Sequence, residues 1–145
     1  MIKTLALCGV LLFAIGPMTA ETPVLQNGVY HAEFSDYDEH GWKEYVDVQV
    51  TDGTVTVLTF DGVNAEGELK SLDESYKSSM RSVTSTWPGK FYTDITNQYL
   101  ENGKLSDVDT VAGATLSTDR FVVLMSALEE NFRTGDIDPR IVDAG

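Results

Sequence analysis

Two runs of alternating apolar residues, Tyr45 to Thr51 and Thr54 to Phe60, flank the dipeptide Asp52-Gly53. Asp-Gly supplies the positive φ angles of a type I′ turn, so the chain must reverse there and pair with itself. A two-residue loop predicts Val50 opposite Val55, Val48 opposite Val57 and Tyr45 opposite Phe60. In that register Val46, Val48, Val50, Val55 and Val57 share the core face. Tyr45, Leu58 and Phe60 then point the other way at the open end of the hairpin. That end calls for a cover on its second face, either a helix or a planar ligand.

The remaining elements follow from punctuation and period. Gly28 to Phe34 alternates as a first strand, and Ser35 to Gly41 is an acidic loop. Asp61 to Leu69 is a second loop. Ser71 as N-cap and Glu74 three residues later form a capping box. The helix behind it carries Leu72, Tyr76, Met80 and Val83 on one stripe. Ser85 to Gly89 breaks the chain, and Pro88 suits the first turn of a second helix. Phe91, Tyr92, Ile95 and Tyr99 form its apolar face, and Gly103 ends it. Asp107 to Val111 alternates as a short strand. A last helix runs from near Ser117 to about Thr134, with Phe121, Leu124, Met125, Leu128 and Phe132 on one face and Gly135 as its stop. Ile137 to Gly145 reads as a polar tail. Strands followed by helices predict an α+β fold, a small antiparallel sheet of three to four strands covered by three helices.

The N-terminus reads as an export signal of residues 1–20, leaving 21–145 as one domain. Lys3 precedes an apolar run, Thr4 to Gly16, that is too short to span a bilayer. Cleavage is placed after Ala20, so the mature chain has no membrane span. Cys8 is the sole cysteine and lies within the signal; acylation at Cys8 is the alternative, disfavoured by the bulky Leu7 before it. Without Cys8 the mature protein has no thiol, which removes disulfides, C-x-x-C redox chemistry and iron–sulfur ligation. His31 and His40 do not have the spacing of a zinc site. A net charge of −13 argues against nucleic-acid binding and against docking on anionic lipid, and suits an exported, soluble monomer.

The stretch Ala112-Gly113-Ala114-Thr115 opens the last helix. Gly113 permits a positive φ and a close approach of ligand, and Ala114 keeps the approach to Thr115 clear. The N–H groups of Leu116, Ser117 and Thr118 face out of the helix start, where an anion is stabilised. The same residues also make an ordinary tight turn and helix cap. On spacing alone the capping reading is the stronger of the two.

Asp109-Thr-Val-Ala-Gly-Ala-Thr115 resembles the flavinylation motif of the FMN-binding domain family. That family includes the C subunit of the sodium-translocating NADH:quinone reductase, the G subunit of the Rnf complex and small extracytoplasmic flavoproteins. Gly28-Val-Tyr30, Gly41-Trp42-Lys43, Asp52-Gly53, Asn64, Gly67-Glu-Leu-Lys70 and the pair Tyr76 and Met80 extend the resemblance over nearly all of the mature chain. Position 112 departs from it, being Ala where the pattern more often has Ser or Thr. The resemblance implies FMN joined through its phosphate to Thr115 by a flavin transferase. It implies that Asp109 is read by that transferase or holds the turn, and that Ser117 and Thr118 bond the phosphate. Trp42, Tyr45, Tyr76 and Met80 are the candidates for contact with the ring, or else for the core.

The function so implied is that of an electron carrier outside the cytoplasm, periplasmic or secreted, serving redox partner proteins that include membrane-associated ones. The rivals are a non-redox ligand- or partner-binding module on the same fold, and a flavin-dependent reductase of a small substrate. No catalytic acid stands out in the sequence, which favours a carrier over an enzyme. The acidic shell implies a low reduction potential, because it disfavours added negative charge.

Overall fold

The computed structural model describes residues 24–144. The signal segment, Cys8 and the cleavage site lie outside them. The fold is α+β. Strands β1 (Gly28–Phe34), β2 (Lys43–Thr51) and β3 (Thr54–Val63) form an antiparallel meander. Helices α1 (Glu74–Arg81), α2 (Pro88–Asn102) and α3 (Thr115–Thr134) follow, and β4 (Arg140–Val142) closes the chain. The sheet order is β3-β2-β1-β4. β4 runs parallel to β1, so the sheet is mixed rather than wholly antiparallel.

One face of the sheet is the core. Tyr30, Ala32, Phe34, Val46, Val48, Val50 and Phe60 lie beneath Phe91, Tyr92 and Ile95 of α2 and Phe121, Leu124, Met125, Leu128 and Phe132 of α3. Pro88 at the start of α2 and left-handed Gly103 and Gly135 after α2 and α3 set the helix bounds that the sequence announced.

The hairpin register differs from expectation beyond the turn. Val50 does pair with Val55, but Gln49 pairs with Val57, Val48 with Leu58 and Val46 with Phe60. Thr56 is the extra residue of a β-bulge, and one inserted residue exchanges the faces of everything after it. Phe60 is therefore buried, Leu58 packs against the core, and Val57 is 50% exposed.

Four further expectations are corrected. Ser71 does not cap α1. It sits in a 3-10 turn, Lys70–Leu72, with its hydroxyl donating to Asp61, while Asp73 is the cap and accepts from the Tyr76 N–H at 2.7 Å. Leu72 and Val83 are exposed, leaving Met80 as the residue of that stripe packed on the core. Asp107–Val111 forms no strand. β4 occupies the free edge of β1, and the Gln98 side chain bonds the Asp109 backbone instead. The tail is not featureless. Buried Asn131 donates to the carbonyls of Asp136 and Asp138 and accepts from Arg140 Nε at 2.6 Å, which delivers β4 to the sheet.

Candidate functional site: a cleft at the start of the last helix

The loop before α3 is pinned from both sides. The Gln98 amide accepts from the Asp109 N–H at 2.8 Å and donates to its carbonyl at 3.1 Å. Thr118 Oγ1 reaches back to accept from the Val111 N–H at 3.2 Å and to donate to the Ala114 carbonyl at 2.8 Å. Between them Gly113 adopts φ +82°, and a Cβ there would stand 3.0 Å from Thr86 Cγ2. Left-handed backbone and lack of space both require glycine.

Helix α3 begins at Thr115, two residues earlier than the expected Ser117. Its N-cap, Ala114, supplies no side-chain bond, and the first helical hydrogen bond runs from Thr118 N–H to Ala114. The N–H groups of Thr115, Leu116 and Ser117 therefore have no acceptor within the helix. Thr115 is exposed, and among the described residues nothing bonds its hydroxyl.

These residues form one wall of a cleft of about 420 Å³. Gly113 to Ser117 and Arg120 supply that wall, Lys70, Tyr76, Met80 and Phe91 face it, and Asp38 to His40 complete the rim. The structure thus brings Gly113, Ala114, Thr115, Leu116, Ser117, Tyr76 and Met80 together, as the sequence grouped them. Four other expected residues fall elsewhere. Trp42 is buried beneath the site, its ring 6.4 Å edge-on from Tyr76, and it supports the wall without lining the cleft. Tyr45 stands on the opposite sheet face, stacked on His31 at 5.9 Å, because strand alternation places it out of phase with Val46 and Val48. Asp109 is exposed and outside the cleft lining. Thr118 is buried with its hydroxyl already bonded to the loop, so it holds the turn instead of facing a phosphate.

Behind the cleft lies a buried polar group that sequence reasoning missed. Glu44, 2% exposed, accepts from Arg120 at 3.0 Å and from the Ser117 hydroxyl at 3.3 Å through Oε1, while Oε2 has no partner among the described residues. Burial pushes the Glu44 carboxyl up, opposed by the nearby charges of Lys70 and Arg120. Arg120 also lies 3.6 Å from Asp38. Lys70 is 4% exposed, and its ammonium sits 4.6 Å above the Tyr76 ring. The buried Tyr92 hydroxyl is likewise unpartnered, and burial, reinforced by Glu44 and Asp61, raises its pKa. A signal for Glu44 was present. It falls in phase with Val46, Val48 and Val50, so an acid had to enter the core face. Lys70 entered the sequence reading only as the end of the resembling stretch Gly67-Glu-Leu-Lys70, with no role attached.

The molecule is therefore a small α+β protein with a partly aromatic cleft, lined by charges of both signs, around an open helix start. No family model matches the chain. It is 34% identical over 112 residues to the 15 kDa lipoprotein of Treponema pallidum (strain Nichols), an alignment covering 77% of this chain and 79% of that protein. The chain belongs to the family of that lipoprotein. The crystal structure of the CPE2226 protein from Clostridium perfringens superposes with a TM-score of 0.78 at 27% identity, covering 83% of this chain and 99% of that one. A solution structure from Clostridium thermocellum aligns at a TM-score of 0.49 and 20% identity, over 73% of this chain and 92% of that one.

Proposed function

We propose that this protein is an exported flavoprotein that carries FMN esterified to Thr115 and serves as an electron carrier outside the cytoplasm. One observation carries the reading. The free Thr115 hydroxyl stands at the uncapped start of α3, at the mouth of a cleft walled by Tyr76, Met80 and Phe91. An uncapped helix start accommodates a phosphate, through open N–H groups and the helix dipole. The volume lies within the roughly 300–1,000 Å³ of small-ligand sites. FMN, when bound, would supply the redox chemistry. The protein's own residues would do the rest: Thr115 anchors, Thr115 to Ser117 present N–H donors, Gly113 holds the left-handed turn that sets Thr115 in place, and Tyr76 and Met80 offer apolar surface to a planar ring.

The ester would form as Thr115 Oγ1 displaces a nucleoside monophosphate from a flavin dinucleotide supplied to the transferase: the Oγ1–P bond forms, the P–O bond of the phosphoanhydride breaks, and the hydroxyl proton passes to solvent, so the net gain is FMN less one water. Export is supported by the N-terminal sequence and by kinship with a protein named a lipoprotein. Among the described residues, no helix is long and apolar enough to cross a membrane.

Intact-mass measurement after co-expression with a flavin transferase tests the attachment. A gain of FMN less water on the wild type, absent from Thr115→Val, is expected; an unmodified wild type would refute it. The same spectrum of the exported protein distinguishes cleavage after Ala20 from acylation at Cys8.

A further inference from the structure

Two cationic side chains, Lys70 and Arg120, line the cleft, and their charges are matched very differently. Arg120 is held by Glu44 at 3.0 Å and faces Asp38 at 3.6 Å. Lys70 has no carboxylate within ion-pairing distance among the described residues, although the chain carries a net charge of −13. It is 4% exposed, and its ammonium rests over the Tyr76 ring, on the cleft wall. Removing an ammonium from water without a counter-charge is costly, so buried lysines are usually paired. Glu44 senses Lys70 through the interior, yet accepts its hydrogen bonds from Arg120 and Ser117. Lys70 is thus a buried cation on the cleft wall, coupled to Glu44 through the interior but in direct ion-pair contact with no carboxylate among the described residues.

We propose that Lys70 is the charge-compensating residue of this cleft: its ammonium stabilises negative charge on a bound ring system and so raises the reduction potential of the flavin against the field of the acidic surface. The proposal rests on the flavin reading above. Reduction by two electrons from an external donor, with uptake of one proton, adds one negative charge to the ring. A cation in a low-dielectric cleft favours that form over the oxidised one, whereas charges on the surface are screened.

Redox titration of the flavin-loaded protein with dithionite, followed by visible absorbance, tests the role. Intact mass confirms loading and a thermal melt confirms folding of each variant. Lys70→Met is expected to lower the ratio of reduced to oxidised flavin at fixed potential about tenfold, equivalent to a midpoint about 30 mV lower for a two-electron couple. Lys70→Arg should retain the wild-type midpoint. Lys104→Met, which removes an exposed lysine away from the cleft, should leave it unmoved. If Lys70→Met fails to fold, Lys70→Gln carries the same expectation. A loaded, folded Met or Gln variant with the wild-type midpoint overturns the proposal and leaves the flavin reading standing. So does an equal shift from Lys104→Met, which would mean that overall charge alone matters. A wild type without FMN overturns the flavin reading, and the role of Lys70 with it.

Discussion

Helices α1 and α3 begin in opposite ways. α1 carries a carboxylate cap from Asp73, yet buries none of its residues. α3 starts with Thr-Leu-Ser-Thr and has no side-chain cap, while its apolar face is buried against the sheet along its whole length. A short helix with only partly buried residues depends more on local bonds to its end. A long helix held by tertiary packing can leave its first N–H groups open, and here those groups face the cleft. The contrast separates an end used for stability from an end available for a ligand.

The largest expected effect concerns chemistry alone. Thr115→Val should abolish FMN attachment, while the urea midpoint stays near wild type, since no cap is lost. A large drop in stability would show that Thr115 acts as a cap after all. Leu128→Ala, on the buried face of α3, should cost about 2–5 kcal/mol in urea unfolding. Asp73→Ala should cost only about 1 kcal/mol, the ordinary worth of an N-cap, and should speed hydrogen exchange in α1 before any other element. Equal costs for these two substitutions would erase the contrast. Gly113→Ala falls between them, at about 1–2 kcal/mol for a forced left-handed residue, and should reduce flavin loading as the turn shifts.

The smallest effect is in pH dependence. The Glu44 carboxyl is pushed above the ordinary carboxylate range in the folded state. A group raised on folding favours the folded form while protonated, and that advantage is lost as pH rises from the unfolded pKa through the raised folded one. The stability of wild type relative to Glu44→Gln should therefore fall as pH increases across that window. A rise instead would show that the contacts with Arg120 and Ser117 outweigh burial.

Local signals were legible wherever one residue type sets the backbone. Asp52-Gly53 announced the hairpin, Pro88 and Gly103 bounded α2, and Gly113 marked the turn before α3. They failed where a neighbour chose between near-equal options. Thr56 entered the ladder as a bulge and exchanged the faces of Leu58 and Phe60 with Val57. Asp73 took the cap expected of Ser71 because the Ser71 N–H and hydroxyl both bond Asp61, on a different element. Tyr45 already pointed away from the core face by alternation, and the helices that wall the cleft pack on the other face of the sheet.

The amino-acid order was enough to specify the α+β layout and the Gly-Ala-Thr turn, because glycine conformations, proline and apolar period act over a few residues. It put the start of the last helix near Ser117, two residues later than the Thr115 at which the helix begins. The surroundings of the Thr115 hydroxyl came from the fold. Lys70 follows the loop after β3, Glu44 lies on β2, Tyr76 on α1 and Arg120 on α3, and only the packing of helices on the sheet brings them to one cleft. Their pairing, with Arg120 in direct contact with Glu44 and Lys70 coupled to it only at a distance, depends on separations of a few ångströms between distant segments, which no local pattern encodes.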